Sequence, residues 1–74
     1  MDDLNEALAL EKDLIPPERW KRLYKTTMPD IVKHEFELQL KAGGSIGIGR
    51  NKKLGWFILV TAGQGPCLVW REKK

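Results

Sequence analysis

Apolar residues recur along this chain with two different periods. Over residues 2–15, Leu4, Ala7, Leu8, Leu14 and Ile15 fall close to the i, i+3, i+4, i+7 spacing of one helix face, and Leu10 widens the stripe. Asp2 or Asp3 supplies an N-cap, and acids in the first turns suit the helix dipole. Pro16-Pro17 ends this helix, because a residue before proline is pushed out of the α region. A second short helix starts at the same place, with Pro17 at its first position and Glu18 in its first turn. Trp20, Leu23 and Tyr24 form its apolar stripe, and Thr26-Thr27-Met28-Pro29 breaks it. Residues 29–33 read as one more helical turn or as a lead-in.

From residue 35 the period becomes 2. Phe36, Leu38 and Leu40 alternate with Glu35, Glu37, Gln39 and Lys41, which predicts a half-buried strand. Gly43-Gly44 predicts a tight hairpin. Ile46 and Ile48 alternate with Gly47 and Gly49 in a second strand, and Arg50-Asn51-Lys52-Lys53 forms a basic hairpin tip. A third strand runs from Gly55 to Thr61, a turn follows at residues 62–66, and a last strand covers Cys67 to Glu72, leaving Lys73-Lys74 as a tail. The expectation is an α+β domain: two N-terminal helices within residues 1–33, then a four-stranded antiparallel meander over 35–72, flat or curled into an SH3-like partial barrel. All 74 residues form one small domain.

The third strand breaks the alternation expected of a sheet with one wet face. Trp56, Ile58 and Val60 point one way, while Phe57, Leu59 and Thr61 point the other. Either helices cover one face and a curled sheet or the N-terminal segment covers the other, or one face waits for a partner. Gly47 and Gly49 leave one strand face bare. A neighbouring aromatic such as Phe57 or Trp70 lies across them, or a ligand backbone does.

Charge adds a polarity to this layout. Residues 1–18 carry six acids against Lys12 alone, a net −5; residues 19–37 carry +2 and residues 38–74 carry +6. No Asp or Glu occurs between Glu37 and Glu72. A surface with one sign of charge is what binds an acidic partner. Arg50, Lys52 and Lys53 on the hairpin tip are the first candidates, assisted by Arg71, Lys41, Lys73 and Lys74. Arg19, Lys21, Arg22 and Lys25 on the second helix make a second basic surface.

Other chemistry is poorly supported. One Cys and one His cannot build a four-ligand zinc site or an internal disulfide. Cys67 lies in an apolar strand, where a thiol is a small, inert core residue. His34 has no nucleophile that can be paired with it, and the glycines of 43–49 lack the following helix that a phosphate loop requires. No catalytic residue, metal or cofactor is expected. An acidic start is unlike a secretory signal, and the apolar run Trp56–Val60 is far too short for a bilayer, so the expected location is the cytoplasm with no membrane contact. A chain this small without staples makes a homodimer or a larger partner an expected source of stability.

The function read from these residues is a non-catalytic binding or regulatory protein. Its basic hairpin acts on nucleic acid, or on an assembly that processes nucleic acid in transcription, replication or translation. The alternative is an inhibitor or adaptor that docks on an acidic protein through Trp20, Trp56 and Trp70 without touching nucleic acid. A third reading is a structural subunit whose apolar sheet face completes a dimer.

Overall fold

The computed structural model describes residues 8–63 and 65–73. Two α-helices, α1 (Pro17–Thr26) and α2 (Asp30–Ala42), precede three strands, β1 (Ser45–Asn51), β2 (Gly55–Ala62) and β3 (Gly65–Arg71). The strands form one antiparallel sheet in the order β1-β2-β3. The molecule is thus α+β, with three strands in place of the expected four-stranded meander or SH3-like curl.

The missing strand is the second half of α2. Its alternating pattern over 35–41 competes with a run of strong helix formers: Lys33, Glu35, Glu37, Leu38, Gln39, Leu40, Lys41 and Ala42. Pro29 precedes the helix, Asp30 lies in its first turn, and Gly43 ends it with φ of +83°. Gly43-Gly44 is therefore a helix terminus leading into β1 and not a hairpin. Val32 and Phe36, one turn apart, are the residues of α2 that are buried, whereas Leu38 and Leu40 are exposed.

The N-terminal helix also stops earlier than its apolar stripe suggests. Residues 8–10 are helical and run into a single 3-10 turn, Glu11–Asp13. Leu14 then bridges Gly49 in antiparallel fashion, and the Ile15 N–H donates to the Ile48 carbonyl at 2.8 Å. Leu14 and Ile15 are drawn out of the helix onto the edge of β1. Residues 1–7 of the expected helix lie outside the described residues.

This strap explains the doubly apolar strand. Residues 54–59 are all buried. On one face, Trp56 and Ile58 join Ile48 and meet Met28, Val32 and Phe36, flanked by Trp20, Leu23 and Tyr24. On the other, Phe57 and Leu59 pack with Leu54, Leu10, Leu14 and Leu68. The sheet lies between the helices and the N-terminal strap. Phe57, Ile48, Ile58, Leu59 and Val32 are almost wholly excluded from solvent. Each such side chain stabilises the fold by roughly 1.5–3 kcal/mol.

Along β3 the pairing register shifts between Ile58 and Leu59, so that Ile58 faces Trp70 but Leu59 faces Leu68. This irregularity sends Trp70 and Leu68 to opposite cores, although they are two residues apart. Cys67 was expected inside the sheet and is instead an exposed free thiol, with Val69 and Arg71 also exposed on this edge strand.

Candidate functional site

The β1–β2 turn is built by its asparagine. Asn51 Oδ1 accepts the Leu54 backbone N–H at 2.7 Å, and its Nδ2 donates to Asp13 Oδ2 at 3.3 Å. This pair of bonds closes the basic turn and ties it to the strap. Gly55 starts β2 with φ of +70°. The ladder then sets Arg50 directly opposite Trp56, on the helix-covered face. Such cross-strand neighbours touch, and the Arg50 guanidinium lies 5.5 Å from the Trp56 ring centroid. A cation in that position gains about 0.5–1 kcal/mol and loses part of its freedom.

The chain end returns to the same place. Glu72 N–H donates to the Trp56 carbonyl and Lys73 N–H to the Leu54 carbonyl, both at 2.8 Å. The Trp56 N–H donates to Glu72 Oε1 at 3.3 Å. Lys73 is thus anchored by its backbone, where a free tail was expected. From the helical side α1 contributes Arg19, Leu23 and the adjoining Thr27. Together these elements enclose an open cleft of about 710 Å³. Its apolar floor is Trp56, Ile15 and Leu23; its rim carries Arg19, Arg50, Lys52 and Lys73, with Glu72 as the one acid among the lining residues.

The cleft therefore joins two surfaces that lie apart in sequence. Arg19 from α1 meets Arg50 and Lys52 from the hairpin. The other expected basic residues lie outside it. Lys53 is on the turn, Arg71 pairs with Phe57 in β3, and Lys41 is in the last turn of α2. Lys21, Arg22 and Lys25 are exposed elsewhere on α1. Lys74 lies outside the described residues. Among the described residues the ion pair present is Lys33–Asp30 at 4.0 Å, so none of the four rim cations is neutralised by a salt bridge there.

No family model matches the chain, and neither does any curated protein or solved structure at a significant level.

The three tryptophans pack on the helix-side core. Trp56 is 4% exposed, and Trp20 and Trp70 are half-buried against the helix-side core. Trp20 packs edge-on to Phe36 at 5.3 Å and donates its indole N–H to the Ile15 carbonyl at 2.9 Å. Of the three rings, Trp56 is withdrawn from solvent while Trp20 and Trp70 keep part of their surface. His34 is exposed, and among the described residues no group of three metal-ligating side chains comes together. No helix among them is long and apolar enough to cross a membrane.

Asn51 and Glu72 are among the members of the cleft that sequence reasoning missed. Asn51 carried a signal, since Asn in a short polar turn is a frequent closer of that turn. Glu72 is the sole acid after Glu37, which marks it as unusual without placing it beside Trp56.

Proposed function

We infer that this protein is a non-catalytic nucleic-acid-binding module whose contact surface is the basic cleft. One observation carries the reading: Arg19, Arg50, Lys52 and Lys73, from three separate segments, converge on one rim without salt-bridge partners among the described residues. Phosphate groups are the ligand that such a rim suits, because each neutralised phosphate releases condensed counterions. The acidic strap does not oppose this. Its Glu11 and Asp13 belong to the layer behind the sheet, and the Asp13 carboxylate is engaged by Asn51. A regulatory role on a larger nucleic-acid-processing assembly is the natural use of a module this small.

Binding of fluorescently labelled oligonucleotides at low salt tests the reading. Reversal of Arg19, Lys52 and Lys73 to Glu is expected to abolish it. Thermal unfolding checks that the variant is folded, since all three side chains are exposed. A folded triple variant that binds as tightly as the wild type removes the cleft from consideration.

A further inference from the structure

The strap is acidic, yet one of its acids is bonded to the basic turn. Asp13 Oδ2 accepts a hydrogen bond from Asn51 Nδ2 at 3.3 Å, and Asn51 Oδ1 accepts the Leu54 N–H at 2.7 Å. The carbonyl of the buried Leu54 in turn accepts the Lys73 N–H at 2.8 Å. Three hydrogen bonds thus run in series from the strap, through the turn, to the chain end. Three of the four rim cations sit on this path. Arg50 and Lys52 flank Asn51, and Lys73 donates the last bond.

The series needs an amide at its centre. A backbone N–H only donates and a carboxylate only accepts, so the side chain between them must accept at one end and donate at the other. Asn does both. The strap end of the series is fixed as well. Leu14 bridges Gly49, and the Ile15 N–H donates to the Ile48 carbonyl at 2.8 Å. The Asp13 carbonyl oxygen lies so near Gly49 that an added Cβ would stand 2.8 Å from it. Asp13 is half-buried there and cannot slide along β1. Glu11, two residues earlier in the same 3-10 turn, is exposed, and Asn51 bonds Asp13 instead.

We propose that Asp13 and Asn51 are positioning residues of the cleft: the Asp13 carboxylate, although negative, strengthens phosphate binding because it holds Lys52 and Lys73 on the rim through Asn51. This rests on the nucleic-acid reading above. If Asp13 acted through its charge alone, its removal would tighten the grip on a polyanion, as the removal of Glu11 would. A positioning role has the opposite sign.

The test measures binding of a labelled oligo-dT of about 12 residues to the full chain, at neutral pH and from about 50 to 200 mM salt. The variants are Asp13→Ala, Asp13→Ser, Asp13→Asn and Glu11→Ala, each checked for folding by thermal unfolding. Asp13→Ala weakens binding roughly three- to eightfold at the lowest salt, up to the share of one phosphate contact. It also makes the slope of log K against log salt shallower by up to about 0.7. Asp13→Ser is neutral and polar but too short to reach Asn51, so it repeats the loss and stands in should the Ala variant not fold. Asp13→Asn keeps a carbonyl acceptor of the same reach without the charge. It restores binding to the wild-type level or slightly above, with the wild-type slope. Glu11→Ala binds as tightly as the wild type or slightly more tightly. If the Ala and Ser variants bind as tightly as the wild type, or if Asp13→Asn loses as much as they do, the positioning role is overturned while the nucleic-acid reading stands. If the wild type binds no oligonucleotide at any of these salt concentrations, both fall.

Discussion

At the scale of single residues, two glycines on β1 show how closely the strap approaches the sheet. A Cβ added at Gly49 would collide with the Phe57 ring and stand 2.8 Å from the Asp13 carbonyl oxygen, neither of which can retreat within a packed layer. At Gly47 the nearest atoms are the Leu14 methyls at 3.1 and 3.2 Å, the ends of a flexible side chain. Gly49→Ala is therefore expected to cost about 1–3 kcal/mol, as overpacking does. That corresponds to a fall in Tm of at least about 4 °C for a chain of this size. Gly47→Ala is expected to cost clearly less. Thermal unfolding of the two variants side by side checks the ordering, and equal effects contradict the close packing of the strap. The bare strand face foreseen from the sequence was thus correctly linked to Phe57, which lies across Gly49. The second cover, Leu14, was hidden because its helical spacing gave no hint of a bridge to β1.

Between elements, α1 and α2 are joined by a polar clasp. Tyr24 Oη donates to Glu37 Oε2 at 2.7 Å, and the Lys33 ammonium lies 5.1 Å from the Tyr24 ring centroid. The Glu37 carboxylate holds the phenol proton and raises the Tyr24 pKa above the usual tyrosine value, with smaller contributions from desolvation and from the charges of Glu37 and Asp30. A group whose pKa is raised by folding lends stability below its unfolded pKa and loses it as pH climbs through the folded one. The clasp is therefore intact at neutral pH and released in strong alkali. Alkaline titration of tyrosine absorbance is expected to give an apparent pKa that falls towards the usual value in Glu37→Gln. An unchanged titration denies the contact. Sequence patterns placed α1, β1, β2 and the basic turn to within a few residues, because prolines, alternation and turn residues agreed there. They failed at residues 35–41, where an alternating run also reads as a strand and helix propensity decided the outcome. They failed again at Cys67, whose apolar neighbours suggested burial but whose place on an edge strand leaves it open to water.

For the molecule as a whole, Glu11 and Asp13 of the strap and the cations of the cleft lie on different elements, while Glu18 shares α1 with Arg19 and the acids of residues 1–7 lie outside the described residues. The strap that carries Glu11 and Asp13 lies behind the sheet, while α1, the β1–β2 turn and the chain end gather cations on the other side. The sequence groups Arg50, Lys52 and Lys53 on one tip with Lys73 among the assisting residues, and of these Arg50, Lys52 and Lys73 line the cleft. The inclusion of Arg19 was not legible beforehand, since its path to the cleft depends on the packing of α1 through Leu23 and Trp20 on the sheet. Nor was the exclusion of Lys53, which depends on the shape of the turn, or of Arg71, which depends on strand register. The central claim is that the rim cations of this cleft hold phosphates, and the salt dependence of oligonucleotide binding tests it most directly. With four contacts to a single strand, log K is expected to fall with log salt at a slope of about −2.8, a loss of roughly 50-fold between 50 and 200 mM. Lys52→Gln with Lys73→Gln removes two exposed rim charges and is expected to make that slope shallower by about 1.4. A wild-type affinity that does not change with salt, or a slope that the double variant leaves untouched, contradicts the account.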